Sequence, residues 1–318
     1  MSTVLEIDNQ SIIPFFVYGT LKPDEIAFYQ IKELIENVKP AQLKDYALYL
    51  RDGIPVIFKT PNWSPLNGFL IWPKTGKQRE VNEILNAYEG ERLYLCEKVV
   101  AVCENKNVDC LTYVGRNAMG SHAEPLHCSW FGRDDTIFNQ SFPSLYKNIM
   151  KLIEKDISSG PDIDDWDYYN ELSSKYLLLI TIIERLAYLF CGEVFTVKEI
   201  KNGQEVYNDR IMQRIVTLGK CSQFQDAYIE VEKKGFLNHV EIFDSRDAKK
   251  SLNSKQSKKA LETWYQVRSN LQHRGKSAWR DVKTVRDSLV SLANIMFVLL
   301  PKLLPGIDKS YSFQELDR

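Results

Sequence analysis

Ile12-Ile13-Pro14-Phe15-Phe16-Val17-Tyr18-Gly19-Thr20-Leu21 decides how the first part of the chain is read. An unbroken apolar run that ends at a glycine predicts a buried strand delivering the chain into a tight turn. Gly19 lets backbone approach a neighbour closely, and the N–H groups of such a turn can hold a carboxylate. Downstream, Ile26, Tyr29, Ile31, Leu34 and Ile35 recur at helical spacing and predict a helix over Asp24 to Val38. Gly68 to Trp72 predicts a second strand, and Val81 to Tyr88 a short helix with Ile84, Leu85 and Tyr88 on one side. Val99 to Cys103 and Cys110 to Val114 flank a polar stretch and predict a hairpin. Strands interleaved with only two short helices predict an α+β domain, a small mixed β-barrel or sheet over residues 1–118, and not a doubly wound sheet.

Gly115 to Arg133 (GRNAMGSHAEPLHCSWFGR) has no sustained period, and a linker is placed at 119–135. From 136 to 318 the helical period dominates and predicts an all-α helical bundle. Leu145 to Ile157 is amphipathic, Ser158-Ser159-Gly160-Pro161 breaks it, and Tyr168 to Phe190 reads as the central core helix. Within that helix Tyr176 to Phe190 is apolar on nearly every side, but it is short and contains Glu184 and Arg185, so no membrane span is expected. In the last helix Val282, Val285, Leu289, Leu292, Met296 and Leu299 alternate by three and four. Asp281 suits its N-cap, and Pro301 and Pro305 are expected to end it.

Composition agrees with two folded domains. The 318 residues are 44 % apolar and 26 % charged, with 15 Gly and 12 Pro, which excludes disordered or collagen-like chains. Forty-one basic and 42 acidic side chains leave a net charge of -1. The charge is uneven, about -2 over 1–120, -5 over 121–240 and +6 over 241–318. Six cysteines (Cys96, Cys103, Cys110, Cys128, Cys191 and Cys221) lack CxxC spacing, and no basic-then-apolar leader opens the chain. Reduced thiols and a cytoplasmic location are the expectation. Cys103, Cys110, His122, His127 and Cys128 lack the short ligand spacings of a zinc site, so neither a metal nor a cofactor is expected.

The order of pieces around the first turn is more specific than any one of them. YGTLKPDE is followed by Gly53-Ile54-Pro55-Val56-Ile57, by Leu66-Asn67-Gly68-Phe69-Leu70, and by Leu85-Asn86-Ala87-Tyr88-Glu89-Gly90-Glu91-Arg92-Leu93-Tyr94. Over residues 12–115 this resembles the γ-glutamylcyclotransferase-like (AIG2-like) family. The resemblance implies an active site in which Tyr18, Gly19, Thr20 and Leu21 form the binding loop for a small γ-glutamyl-type ligand and Glu89 is the catalytic carboxylate. Asn86 stands where the family often has Asp. The implied reaction is attack of a γ-glutamyl α-amine on its own side-chain carbonyl, giving 5-oxoproline and a free amine. One carboxylate can take the proton from the attacking amine and return it to the leaving nitrogen if apolar surroundings raise its pKa toward neutrality. The plainer reading of YEG-ER is a helix terminus with a solvated acid.

The basic block between Arg246 and Arg286 carries twelve Lys or Arg against Asp247, Glu262 and Asp281. Its plain reading is a solvated connector. At its centre, Arg268-Ser269-Asn270-Leu271-Gln272-His273 forms an R-x4-H motif ahead of the long last helix. With its flanking helices, over about 130–305, this resembles the HEPN superfamily, in particular its Apea-like members. The resemblance implies a metal-independent ribonuclease site in a dimer groove, with RNA as partner, Arg268 and His273 catalytic, and Ser269 and Asn270 holding phosphate. A histidine titrating near neutrality moves the proton and a guanidinium offsets phosphorane charge. Positions five apart on one helix are about 140° apart in azimuth, so the two side chains would meet only across a subunit groove or at a helix end near Gly275. The alternative is that Arg268 pairs with a core acid such as Glu184. His239 has no comparable neighbourhood.

The leading expectation is therefore a homodimeric HEPN-type ribonuclease, a conditional defence or toxin effector, with a cyclotransferase-like sensing or modifying domain. The alternative is a γ-glutamyl cyclotransferase whose helical half dimerises it, and the second alternative is a non-catalytic binding module.

Overall fold

The computed structural model describes residues 12–307, apart from 52, 91, 117–123, 127–128, 155–162, 194–195, 239–240, 244–248, 252–255 and 275–281. Gly275, Asp281, His122, His127, Cys128, His239 and the break at 158–161 lie outside the described residues. The chain divides into two compact units, Met1–Gly132 with Gly192–Val194, and Arg133–Cys191 with Phe195–Arg318.

In the first unit, β1 (Phe15–Val17) leads into the Tyr18-Gly19 turn, as its apolar run requires. Two short 3-10 turns, Phe28–Gln30 and Lys32–Leu34, precede β2 (Ile35–Leu43). Then come β3 (Tyr46–Arg51), β4 (Ile54–Lys59), β5 (Leu66–Pro73), α1 (Gln78–Glu89), β6 (Tyr94–Cys103), β7 (Lys106–Gly115) and the short β8 (Glu124–Leu126). Strands β1, β5, β2, β6 and β7 close into a barrel in that order, while β4, β3 and β8 form a side sheet. Closure is the parallel contact of Phe15 with Leu111; Phe16 pairs antiparallel with Leu70. Period-two alternation sends Phe15 and Val17 into a core shared with Val81, Leu85 and Tyr88 of α1, and Phe16 and Tyr18 into another with Leu70 and Trp130.

The helix expected over Asp24 to Val38 is absent. Ile26, Ile31 and Ile35 are buried, but through the two 3-10 turns and the start of a strand. Val38 pairs with Ile71 and Ala41 with Gly68, so cross-strand bonding to β5 holds this segment extended where local spacing alone suggested a helix. The hairpin is real and longer than expected. It turns at Glu104 and Asn105, both at positive φ (49° and 61°), the backbone of a tight two-residue connection.

The second unit contains α2 (Phe142–Ile153), preceded by a π-helical turn at Ile137–Ser141, then α3 (Ile163–Cys191), α4 (Ile211–Lys220), α5 (Ser222–Lys233), α6 (Ser257–Arg274) and α7 (Val282–Leu303). It is not all-α. Hairpins β9 (Thr196–Lys201) with β10 (Gln204–Asp209), and β11 (Glu241–Phe243) with β12 (Lys249–Ser251), interrupt it. Asn202-Gly203 makes the first turn with φ of 52° and 76°, an Asn-Gly signal that was readable in the sequence. The centre of the bundle is α7, buried without a break from Ser291 to Leu300, whereas α3 leaves Leu178 exposed. Two of its polar residues are satisfied inside: the Tyr146 hydroxyl donates to Asn294 Oδ1 at 2.9 Å, and Ser291 Oγ donates to the Asp287 carbonyl at 2.8 Å. Pro301 lies inside α7 and does not end it. Among the described residues α7 alone is long and apolar enough to cross a membrane, and most of it is buried in the fold.

Candidate active site

Helix α1 forms because Val81, Leu85 and Tyr88, at i, i+4 and i+7, bury one face against the barrel. Burial of side chains of this size contributes about 1.5–3 kcal/mol each. Gly90, at φ 69°, stops the helix while its N–H bonds the Asn86 carbonyl at 3.0 Å. Glu89 is therefore left at the helix end beside the turn that follows β1.

The two segments are tied together. The Tyr88 hydroxyl donates to Thr20 Oγ1 at 3.0 Å, and Leu21 packs in the same core as Tyr88. The turn itself is closed by Lys22 N–H to Gly19 O and Ala27 N–H to Thr20 O, both 3.0 Å. Gly19 must be glycine for packing, since a Cβ there would stand 2.5 Å from Pro55 Cγ. Tyr18 donates to the Tyr113 carbonyl at 2.7 Å, and Tyr113 donates to Asn86 Oδ1 at 2.8 Å. Asn86 thus supplies the acceptor that an Asp would offer, without its charge. The Lys22 ammonium donates to the Trp130 carbonyl and lies 3.7 Å from the centre of the Phe131 ring.

Burial dominates the electrostatics. It raises the Glu89 carboxyl from 4.5 to about 8, with the Arg51 guanidinium opposing and the Glu193 carboxylate adding to the rise. At pH 7 about one Glu89 in ten is then a carboxylate. The Tyr18 phenol is held well above its ordinary range by burial, then by Tyr94 and Glu89 nearby. Burial pushes the Cys96 thiol up to about 11 against a hydrogen bond with Tyr113, which leaves it protonated and a poor nucleophile at neutral pH.

Two residues of this site were not found by sequence reasoning. Arg51 ends β3, is 5 % exposed, and sits 5.2 Å from the centre of the Tyr94 ring. Its signal was an arginine inside the apolar strand Tyr46-Ala47-Leu48-Tyr49-Leu50-Arg51, on the same face as Tyr49 by period two. Glu193 is 7 % exposed and has no local signal. Its N–H donates to the Tyr88 carbonyl at 2.7 Å, and its carboxylate stands 3.6 Å from Arg92. Gly192 at φ 60° permits the approach, because a Cβ there would lie 2.4 Å from the Tyr88 carbonyl oxygen.

Residues 15–131 match the family model described as gamma-glutamyl cyclotransferase, AIG2-like. The N-terminal unit is an AIG2-like domain. Within it, Tyr88, the residue before Glu89, is hydrogen-bonded to Thr20 of the Tyr18-to-Leu21 turn. Solved structures similar to the chain include an AIG2-like protein from Mus musculus, at 15 % identity over 33 % of this chain and 78 % of that one, with a TM-score of 0.29. A protein of Arabidopsis thaliana shares 20 % identity over 47 % of this chain and 98 % of its own, with a TM-score of 0.30. One described as a γ-glutamyl cyclotransferase shares 16 % over 48 % and 93 %, with a TM-score of 0.27. A search of the curated proteins finds no match.

The R-x4-H residues lie in the second unit, on α6. Arg268 Nη2 is 3.5 Å from Glu184 Oε1 of α3, and its guanidinium lies 5.1 Å from the centre of the Tyr265 ring. This is the pairing set out above as the alternative to a catalytic arginine. Burial raises the Glu184 carboxyl while Arg268 and a hydrogen bond with Tyr265 lower it. Asn270 Oδ1 accepts from Gln266 Nε2 at 3.1 Å, and Ser269 is half-buried. His273 is on the same continuous helix, near its C-terminal end, and its side chain lies outside the described residues. Cys103 and Cys110 are buried strand residues, and among the described residues no cluster of three His, Cys, Asp or Glu is placed to hold a metal.

Proposed function

We propose that the AIG2-like domain is a γ-glutamyl cyclotransferase acting on γ-glutamyl amines or peptides. The observation that carries this is the Glu89 carboxyl, buried at the end of α1 with its pKa near 8 and bound through Tyr88 to the Thr20 turn. The substrate α-amine attacks the side-chain carbonyl carbon, forming the ring C–N bond. The Glu89 carboxylate accepts the proton that the amine must lose. As the tetrahedral intermediate collapses, the bond to the original amide nitrogen breaks, and the Glu89 carboxylic acid returns the proton to that nitrogen. The products are 5-oxoproline and a neutral amine, and Glu89 ends as it began. A carboxyl of ordinary pKa would be a weaker acid–base pair here, because its protonated form is scarce at neutral pH.

The test is release of 5-oxoproline from γ-glutamyl amines and dipeptides by the full chain, with and without Glu89→Gln. Release that depends on Glu89 supports the assignment; no release, or release undiminished in the variant, removes it. A nuclease in the helical unit ranks behind this reading. Arg268 is paired with Glu184.

A further inference from the structure

The residues on both sides of Glu89 are held by one short segment from far along the chain. Gly192 and Glu193 follow the last residue of α3 directly, yet they belong to the first unit, and they lie beyond the residues 15–131 that match the family model. The Glu193 N–H donates to the Tyr88 carbonyl at 2.7 Å. That carbonyl is among the last four of α1, which have no partner inside the helix, and it shares its peptide unit with the N–H of Glu89. Holding it sets the direction in which the Glu89 side chain leaves the helix. On the other side of Glu89, a Cβ at Gly90 would stand 2.7 Å from Glu193 Cβ. Arg92 Nη2 then lies 3.6 Å from Glu193 Oε2. Glu193 therefore meets the chain at Tyr88, Gly90 and Arg92. Its carboxylate is costly where it stands: the residue is 7 % exposed and lies at the helix end whose dipole is negative, so stability alone favours a neutral side chain there.

We propose that Gly192 and Glu193 form a strap that completes the active site from outside the family-matched stretch, and that Glu193 is a positioning residue for Glu89. This rests on the cyclotransferase reading above. The backbone of the strap aims Glu89, and its side chain sets how readily Glu89 holds a proton. Among the described residues, the groups that face Glu89 are Arg51 of β3, Glu193, the Tyr18 phenol, the Cys96 thiol of β6 and the Tyr113 phenol of β7. Burial raises both phenols above their ordinary range and the thiol to about 11, so near the Glu89 value of about 8 it is Arg51 and Glu193 that carry charge. Glu193 favours the carboxylic acid form of Glu89, the form that must return the proton to the leaving nitrogen. Arg92, acting through Glu193, offsets part of that negative charge.

The experiment measures 5-oxoproline release from a γ-glutamyl dipeptide by the full chain, with kcat and KM taken from about pH 6 to 10 so that kcat/KM reports the ionisation of the free enzyme. The proteins compared are the parent, Glu193→Gln, Arg92→Gln and Gly192→Ala. Glu193→Gln removes a negative charge and should move the rise of kcat/KM to lower pH. Arg92→Gln removes the cation that offsets Glu193 and should move it to higher pH. A purely structural role for the segment does not send the two profiles in opposite directions. Gly192→Ala pushes the strap off the Tyr88 carbonyl and should lower kcat by roughly 10- to 100-fold with KM little changed, the effect of a misaimed catalytic group. Thermal unfolding checks that each variant is folded, and if Gly192→Ala is not, the two charge variants carry the test. Profiles that stay with the parent's or shift in the same direction, or a folded Gly192→Ala with the parent's kcat, overturn the strap and leave the cyclotransferase intact. No turnover by the parent overturns both.

Discussion

Glu89→Gln should make the protein more stable while abolishing its turnover, and the gain should depend on pH in a defined way. The carboxyl stands at 4.5 in an ordinary setting and about 8 in the fold. Below pH 4.5 the folded and unfolded chains both hold the proton, and Glu89 is a neutral group much like Gln. Between 4.5 and 8 the unfolded chain releases the proton and the folded chain keeps it, so this contribution to stability is lost as pH rises and is gone above 8. At 1.36 kcal/mol per tenfold change, the whole difference is at most about 5 kcal/mol, of which about 3 kcal/mol has developed by pH 7. The Glu89 residue as a whole is half-buried and nearby water screens the charge, so a difference of about 1–3 kcal/mol at pH 7 is expected. The assay is denaturant-dependent hydrogen exchange of the β6 and β7 amides in the full chain, parent against variant, from pH 4.5 to 9. The difference should be near zero at the acid end, grow through neutrality and level off above 8. A difference that is flat across this range would falsify the buried-carboxyl argument, and with it the reason given for choosing Glu89 as the acid–base group.

Other consequences are open to direct measurement. The pH profile of kcat/KM should rise through about 8 as Glu89 ionises, and Glu193→Gln should move that rise to lower pH, because it removes a neighbouring negative charge; an unmoved profile would separate Glu193 from the site. Gly192→Ala should lower stability by about 2 kcal/mol or more in thermal unfolding, since its φ is 60° and its Cβ would press on the Tyr88 carbonyl. Arg268→Met and Glu184→Gln should each destabilise by about 1 kcal/mol, with the double variant costing less than the two together. Additive losses would show that the pair contributes nothing. Tyr146→Phe should cost about 1–3 kcal/mol by leaving Asn294 short of a buried donor, read from the urea midpoint at unchanged slope.

Much of the architecture is written in local pattern. The apolar run at Phe15–Val17, the i, i+4, i+7 face of α1, and the three-and-four alternation of α7 each require one kind of element in order to bury what they carry. Elements that failed to show themselves lack such a pattern. In β2 the buried and exposed positions do not alternate, because the strand shifts register between Ile35 and Asn37 and meets different partners along its length. The segment before it has helical spacing by accident of two short turns. The β9–β10 hairpin is different: its Asn202-Gly203 turn signal stands in the sequence, set between segments of helical character.

Residue types and their order were enough to place a carboxylate at a helix end and a glycine turn after a strand, since these follow from interactions among near neighbours in the chain. They could not say that the carboxylate would be protonated at neutral pH. That depends on burial in the assembled fold, opposed by Arg51 of β3, and on Glu193, which returns from far along the chain to lie against Tyr88 and Gly90. Likewise Arg268 could be read as a phosphate ligand or as half of an ion pair, and only the packing of α6 near α3 put Glu184 within 3.5 Å of it. Charge and acidity are set by the full three-dimensional surroundings of a group, and a linear pattern carries only the part of those surroundings that is adjacent in sequence.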